Sequence, residues 1–187
     1  RCPNMALRKA SAYTKKHVVP YTRISSKKGK SYIKTVPPQA IVKFSMGFNK
    51  PYQEGKLPHE LTLIAEENAQ IRHNALEASR QYMIKRFDEE LPGQYLFKVV
   101  PFPHHIQREN KMLTGAGADR MSSGMQLSFG HPMGKAALVK PGSKIFFVAV
   151  ANEKAVQTVR DIIGRVKPKL PCRTKIIYEF KKPEVIV

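Results

Sequence analysis

The stretch KAALVKPGSKIFFVAVANEKAVQTVRDIIGRV, residues 135–166, decides the fold. KAALVK (135–140) and SKIFFVAV (143–150) are short runs rich in β-branched and aromatic residues, separated by Pro141-Gly142. They read as two strands around a turn. Asn152 then stands where a helix N-cap belongs, its side chain suited to an unsatisfied first-turn N–H. Ala155, Val156, Val159, Ile162, Ile163 and Val166 recur at the spacing of one helical face, which predicts a helix over about 153–166.

Working outward, TKIIYEF (174–180) predicts a last strand. Upstream, QYLFKVVP (94–101) alternates, with Tyr95, Phe97 and Val99 on one side. Pro101 and Pro103 interrupt it, and HHIQRE (104–109) reads as its continuation. ELTLIAE (60–66) puts Leu61, Leu63 and Ala65 on one face. A helix is predicted from about Asn68 to Phe87, with Ile71, Ala75, Ala78 and Tyr82 as its stripe and Leu76, Met83 and Phe87 beside them. Arg72, Arg80 and Lys85 point elsewhere. AIVKF (40–44) is a shorter strand-like piece. Helices at two places among hairpin-linked strands predict an α+β fold, two helices packed on a mixed or antiparallel sheet. No internal repeat is visible.

The charge narrows the partners. The chain has 187 residues, with 33 Lys and Arg against 14 Asp and Glu, a net charge of +19. Such a chain repels itself, and nucleic acid is the commonest polyanion to relieve that. Residues 1–58 hold 13 basic residues and one acid, Glu54; residues 59–92 hold four and seven; residues 93–187 hold 16 and six. The chain divides into a basic extended arm, residues 1–39, and a single domain, 40–187, with an internal loop at 110–134. In the arm, Pro20, Pro37 and Pro38 forbid long helices. Tyr13, Tyr21 and Tyr32 alternate with cations including Arg23, Lys27, Lys28 and Lys30. Cations suit phosphates and tyrosines stack on bases, so the arm reads as an RNA contact rather than a solubilising tail.

Other partners find less support. No apolar run approaches 18 residues, no basic amphipathic helix with anchoring Trp is present, and no secretory pattern opens the sequence, so no membrane role is expected. Cys2 and Cys172 form no CxxC pair, and read as two reduced thiols of a cytosolic protein. Adjacent His104 and His105 would point to opposite faces of a strand and do not make a metal site. Neither a metal nor a cofactor is expected.

The loop NKMLTGAGADRMSSGMQLSFGHPMG (110–134) has no regular periodicity. Its GAGADR (115–120) lacks the GKS or GKT ending of a P-loop and the third glycine of a dinucleotide fingerprint. Ser122 and Ser123 have no His or acid assigned to them by spacing. Asp119 and Glu109 are its nearest acids, and as an acid–base pair they remain an alternative. Met112, Met121, Met125 and Met133 suit an irregular partner surface. Fixing each backbone residue costs roughly 1–2 kcal/mol, so ordering the whole loop opposes folding by tens of kcal/mol. Lys111, Arg120 and the glycines point to an external partner presenting phosphates at close backbone range.

REN at 108–110, KM at 111–112, GAGADR at 115–120, SSGM at 122–125, SFG at 128–130 and GKAA at 134–137 together closely resemble a universal large-subunit ribosomal protein family, L-sixteen in bacteria and L-ten-e in archaea and eukaryotes. IAEENAQIRHNALEASRQYM (64–83) looks like the first-helix region of its archaeal form, and YTR at 21–23 fits its N-terminal region. The resemblance covers about residues 40–180. It implies an α/β-hammerhead type of α+β core, no enzymatic activity, and a place in the cytoplasmic ribosome. Expected partners are large-subunit rRNA near the aminoacyl and peptidyl tRNA sites, tRNA, neighbouring ribosomal proteins and assembly factors.

The family's loop reaching toward the peptidyl transferase centre maps onto about Asn110 to Gly124. Arg108, Asn110, Lys111, Met112, Thr114, Gly115, Ala116, Gly117, Ala118, Asp119, Arg120 and Met121 are then the residues near rRNA and tRNA. Arg72, His73 and Arg80 of the helical segment join Tyr21, Arg23, Lys27, Lys28 and Lys30 of the arm as rRNA contacts. Two rivals stand beside this reading: an RNA-modifying enzyme that uses the loop as substrate or cofactor site, and a free RNA chaperone.

Overall fold

The computed structural model describes residues 36–109 and 131–181. It is an α+β fold of two antiparallel sheets. Strands β1 (Ser45–Gly47), β4 (Tyr95–Val99), β7 (Lys144–Val150), β2 (His59–Ala65) and β8 (Thr174–Phe180) lie in that order in a five-stranded sheet. Strands β3 (Ala69–Arg72), β6 (His131–Val139) and β5 (His105–Glu109) form a three-stranded one. The helices are α1 (Asn49–Gln53), α2 (His73–Glu90) and α3 (Glu153–Val166), with a short 3-10 turn over Lys167–Lys169.

The long helices cover one face of the sheets because apolar side chains leave water there. Leu61, Leu63, Phe97, Phe146 and Val148 are fully buried beneath them. All six residues of the predicted α3 stripe are buried. Asn152 occupies the N-cap position, but its side chain donates to Gln94 Oε1 at 3.0 Å instead of capping the helix. On the opposite face of the larger sheet, Leu57, Leu96 and Ala149 form a second cluster with Tyr52 of α1 packed against it.

Several expectations need correction. The runs at 135–140 and 143–150 do form strands around Pro141-Gly142, but they enter different sheets. Gly142, at φ 83°, donates its N–H to the Ala65 carbonyl at 2.8 Å, so the turn is a corner rather than a hairpin tip. HHIQRE does not continue QYLFKVVP, since β4 and β5 also lie in different sheets, with Pro101 and Pro103 at the break. Pro has no N–H to extend the first ladder, and each Pro biases the residue before it.

The helix predicted from Asn68 begins at His73, because residues 69–72 pair with β6 as a strand. Its buried residues include Leu76, Met83 and Phe87, while Ala75 and Tyr82 are half-buried and Ala78 is exposed. Residues 40–44 form no strand; the first strand is Ser45–Gly47. The Ala40 N–H donates to His73 Nδ1 at 3.1 Å, so a side chain of α2 takes a bond that a ladder would need.

Candidate nucleic-acid interface

The hairpin of β5 and β6 carries the site. Glu109 and His131 are cross-strand partners, so the glycine-rich segment between them leaves and returns at one point. The register shifts between Gln107 and Arg108, which leaves Arg108 opposite Pro132 at the base of that segment. Such irregularities re-aim side chains near functional sites. Arg108 is half-buried. Positions 131–134, expected in the loop, are the first residues of β6.

Residue 40, just after the basic arm, lies against the start of α2 beside the same sheet. The imidazole of His73 accepts from Ala40, and a Cβ added at Gly134 would lie 3.1 Å from His73 Nε2. Gly134 is three residues into β6 from His131 and pairs with Gln107. Residue 40, which follows the arm in sequence, therefore lies close to the strand that carries one end of the loop. The attachment is reinforced by Glu77. Arg80 Nε donates to Glu77 Oε2 at 2.7 Å and Arg80 Nη2 to Glu77 Oε1 at 2.5 Å, while Gln81 Nε2 donates to the same Oε1 at 2.9 Å. Arg80 Nη1 also lies 3.3 Å from Met46 Sδ. Arg80 and Glu77 side chains are only 12% and 11% exposed.

Two buried imidazoles register the local potential. Burial pushes the His73 pKa below the usual histidine value, and the charges of Arg72 and Lys135 push it further. Burial lowers His105 to about 4, with His104 and Arg108 adding to the effect. Both rings are neutral at pH 7 and stand in a field set by cations. Gln107 Nε2 donates to Gln70 Oε1 at 3.2 Å, so the centre of the small sheet is polar as well as buried.

Placement of the expected residues is uneven. Arg72 and Arg108 are half-buried on the small sheet, near the arm and loop attachments. His73 is 8% exposed, and the Arg80 guanidinium is paired with the Glu77 carboxylate. Their role visible here is to hold residues 40–46 against α2. Tyr21, Arg23, Lys27, Lys28 and Lys30, and the loop residues from Asn110 to Met121, lie outside the described residues. Lys135 was missed by sequence reading; its place in GKAA gave no sign that it stands beside His73. Among the described residues no group of three His, Cys, Asp or Glu side chains could hold a metal ion, and no helix is long and apolar enough to cross a membrane.

Residues 9–177 match the family described as Ribosomal protein L16p/L10e. The chain is 40% identical over 180 residues to the large ribosomal subunit protein uL16 of Staphylothermus marinus, covering 96% of this chain and 97% of that one. The uL16 of Sulfolobus acidocaldarius is 41% identical over 175 residues, covering 92% and 93% of the two chains. That of Archaeoglobus fulgidus is 43% identical over 164 residues, covering 86% of each. Both the family match and this end-to-end similarity run through the arm attachment, the two sheets and the loop: the chain belongs to the L16p/L10e family of large-subunit ribosomal proteins, and is a structural constituent of the ribosome rather than an enzyme.

Proposed function

We propose that this protein binds large-subunit rRNA through its arm and small sheet, and extends its 110–130 segment toward the tRNA-binding cleft. The observation that carries the reading is that residue 40, next to the arm in sequence, and the strand ends that bracket the loop lie together at the three-stranded sheet and the start of α2, through the Ala40–His73 bond, the His73–Gly134 contact and the Glu109–His131 pair. Two basic segments rooted together can grip RNA on either side of a rigid base. Arg108 neutralises phosphate at the root of the loop, and Lys111 and Arg120 do so further out. Gly115 and Gly117 permit close backbone approach to RNA. Asn110, Met112, Thr114, Ala116, Ala118, Asp119 and Met121 complete the surface offered to rRNA and tRNA, with Asp119 holding Arg120 or capping the loop locally. Tyr21, Arg23, Lys27, Lys28 and Lys30 supply stacking and charge from the arm, and Arg72 contributes at its root. Neighbouring ribosomal proteins and assembly factors meet the protein as the subunit matures in the cytoplasm.

The test is Arg108→Ala in cells. Reduced peptidyl transfer or accumulation of late subunit precursors is expected. Wild-type growth with normal subunit profiles would contradict the assignment of Arg108.

A further inference from the structure

The helical layer carries a second concentration of charge, away from the loop. Tyr82 of α2 is its centre. Lys169 Nζ, from the 3-10 turn after α3, lies 4.4 Å from the centroid of the Tyr82 ring. Arg86 Cζ, one turn further along α2, lies 6.0 Å from the same centroid. The positive guanidinium groups of Arg165 and Arg86 act on the Tyr82 phenol and hold its pKa below the usual tyrosine value. Lys85 is exposed at the i+3 position, on the same side of the helix. Cations from two helices and a turn thus meet at one phenol.

Local structure does not explain the cluster. The carbonyls at the end of α3 supply a negative pole of about half a charge, which one cation satisfies. Arg86 has a carboxylate partner, Glu89, at 3.1 Å. Among the described residues, no carboxylate lies within 4.0 Å of a charged nitrogen of Arg165 or Lys169. Exposed cations brought together without a matching acid repel one another, and that cost is removed when an anion joins them. Arg165 and Arg86 present planar donors suited to phosphate oxygens, and Lys169 adds a point charge. The half-buried Tyr82 ring gives a flat face beside them.

We propose that Tyr82, Arg86, Arg165 and Lys169 form a phosphate-binding site for an RNA backbone segment, a second rRNA contact on the helical face. The inference rests on the rRNA-binding reading above but concerns a different surface. The protein is thereby held between two RNA elements, one at the small sheet and one at the helices.

The experiment compares amine acylation of Lys169 in the free full-length chain and in assembled large subunits, with ultraviolet cross-linking of the same subunits. Lys169 should lose its reactivity on assembly, and a nucleotide adduct should appear on the peptide that contains Tyr82 or Lys169. Lys169 remaining as reactive in subunits as in the free chain would overturn the inference while leaving the ribosomal reading intact. Protection accompanied by cross-links to a neighbouring protein, with no nucleotide adduct, would overturn it in favour of a protein contact. Absence of the chain from subunits would bring down the ribosomal reading first, and this inference with it.

Discussion

Glu77→Ala tests how residues 40–46, which follow the arm, are fastened to α2. The substitution removes the acceptor of two Arg80 hydrogen bonds and one from Gln81. It leaves Arg80, only 12% exposed, without its counter-charge. Breaking a buried pair by removing one partner costs roughly 3–5 kcal/mol, because the remaining charge is still desolvated. The edge of solvent access here argues for the lower end, about 3 kcal/mol. For a chain of this size that is a fall in Tm of about 6–12 °C. Replacing both partners, Glu77→Leu with Arg80→Met, should recover most of the loss, since an apolar pair of similar volume is often neutral.

The same carboxylate sets an acid limit. The Arg80 hydrogen bonds hold the Glu77 pKa below its usual 4.5, against the opposing effect of burial. Its stabilisation is therefore fully present above pH 4.5 and is lost as pH falls through the lower folded-state value. Urea unfolding of the three proteins at pH 7 is the assay. A Glu77→Ala loss below about 1 kcal/mol, the worth of an ordinary surface pair, would refute the argument that this pair is a buried clamp.

Other outcomes follow from single positions. Gly47→Ala should destabilise by about 2 kcal/mol or more, because φ there is +88° and a Cβ would collide with the Tyr95 carbonyl; thermal unfolding checks it. Gly134→Ala should cost about 1 kcal/mol by pressing on the His73 ring, and should weaken protection of the Ala40 amide in hydrogen exchange. Because the His105 pKa falls from 6.5 to about 4 on folding, stability should decline as pH drops between those values; His105→Gln should flatten that part of the pH profile. The chain should remain with large subunits through a sucrose gradient at roughly half-molar monovalent salt, where loose phosphate contacts dissociate, and appearance at the top would argue for a free RNA chaperone.

Elements with clean periodicity were legible without coordinates. Leu61, Leu63 and Ala65, Tyr95, Phe97 and Val99, and the α3 stripe all bury the predicted face. The corners were not legible, because Pro101, Pro103 and Pro141-Gly142 announce a break without saying which sheet follows. The stripe of α2 was misread because Ile71, in β3, happens to lie in helical phase with Ala75, Ala78 and Tyr82.

The interface shows the same division. The 108–137 motif identified the family, and Arg108 stands opposite Pro132 in the β5–β6 pair. Glu77 and Arg80 have the i, i+3 spacing of a solvent-facing pair, and only tertiary contact with residues 42–46 makes them internal. The cluster at Tyr82 depends on a turn brought across from the end of α3, which no local pattern announces.

The measurement that bears most directly on the central claim is cross-linking from the loop in place. Ala116→Cys, carrying a short photoreactive group, would be assembled into large subunits with tRNA bound in the aminoacyl or peptidyl site. Adducts to tRNA and to rRNA of the peptidyl transferase region are the predicted result. Adducts confined to rRNA remote from that cleft, unchanged by tRNA, would contradict it.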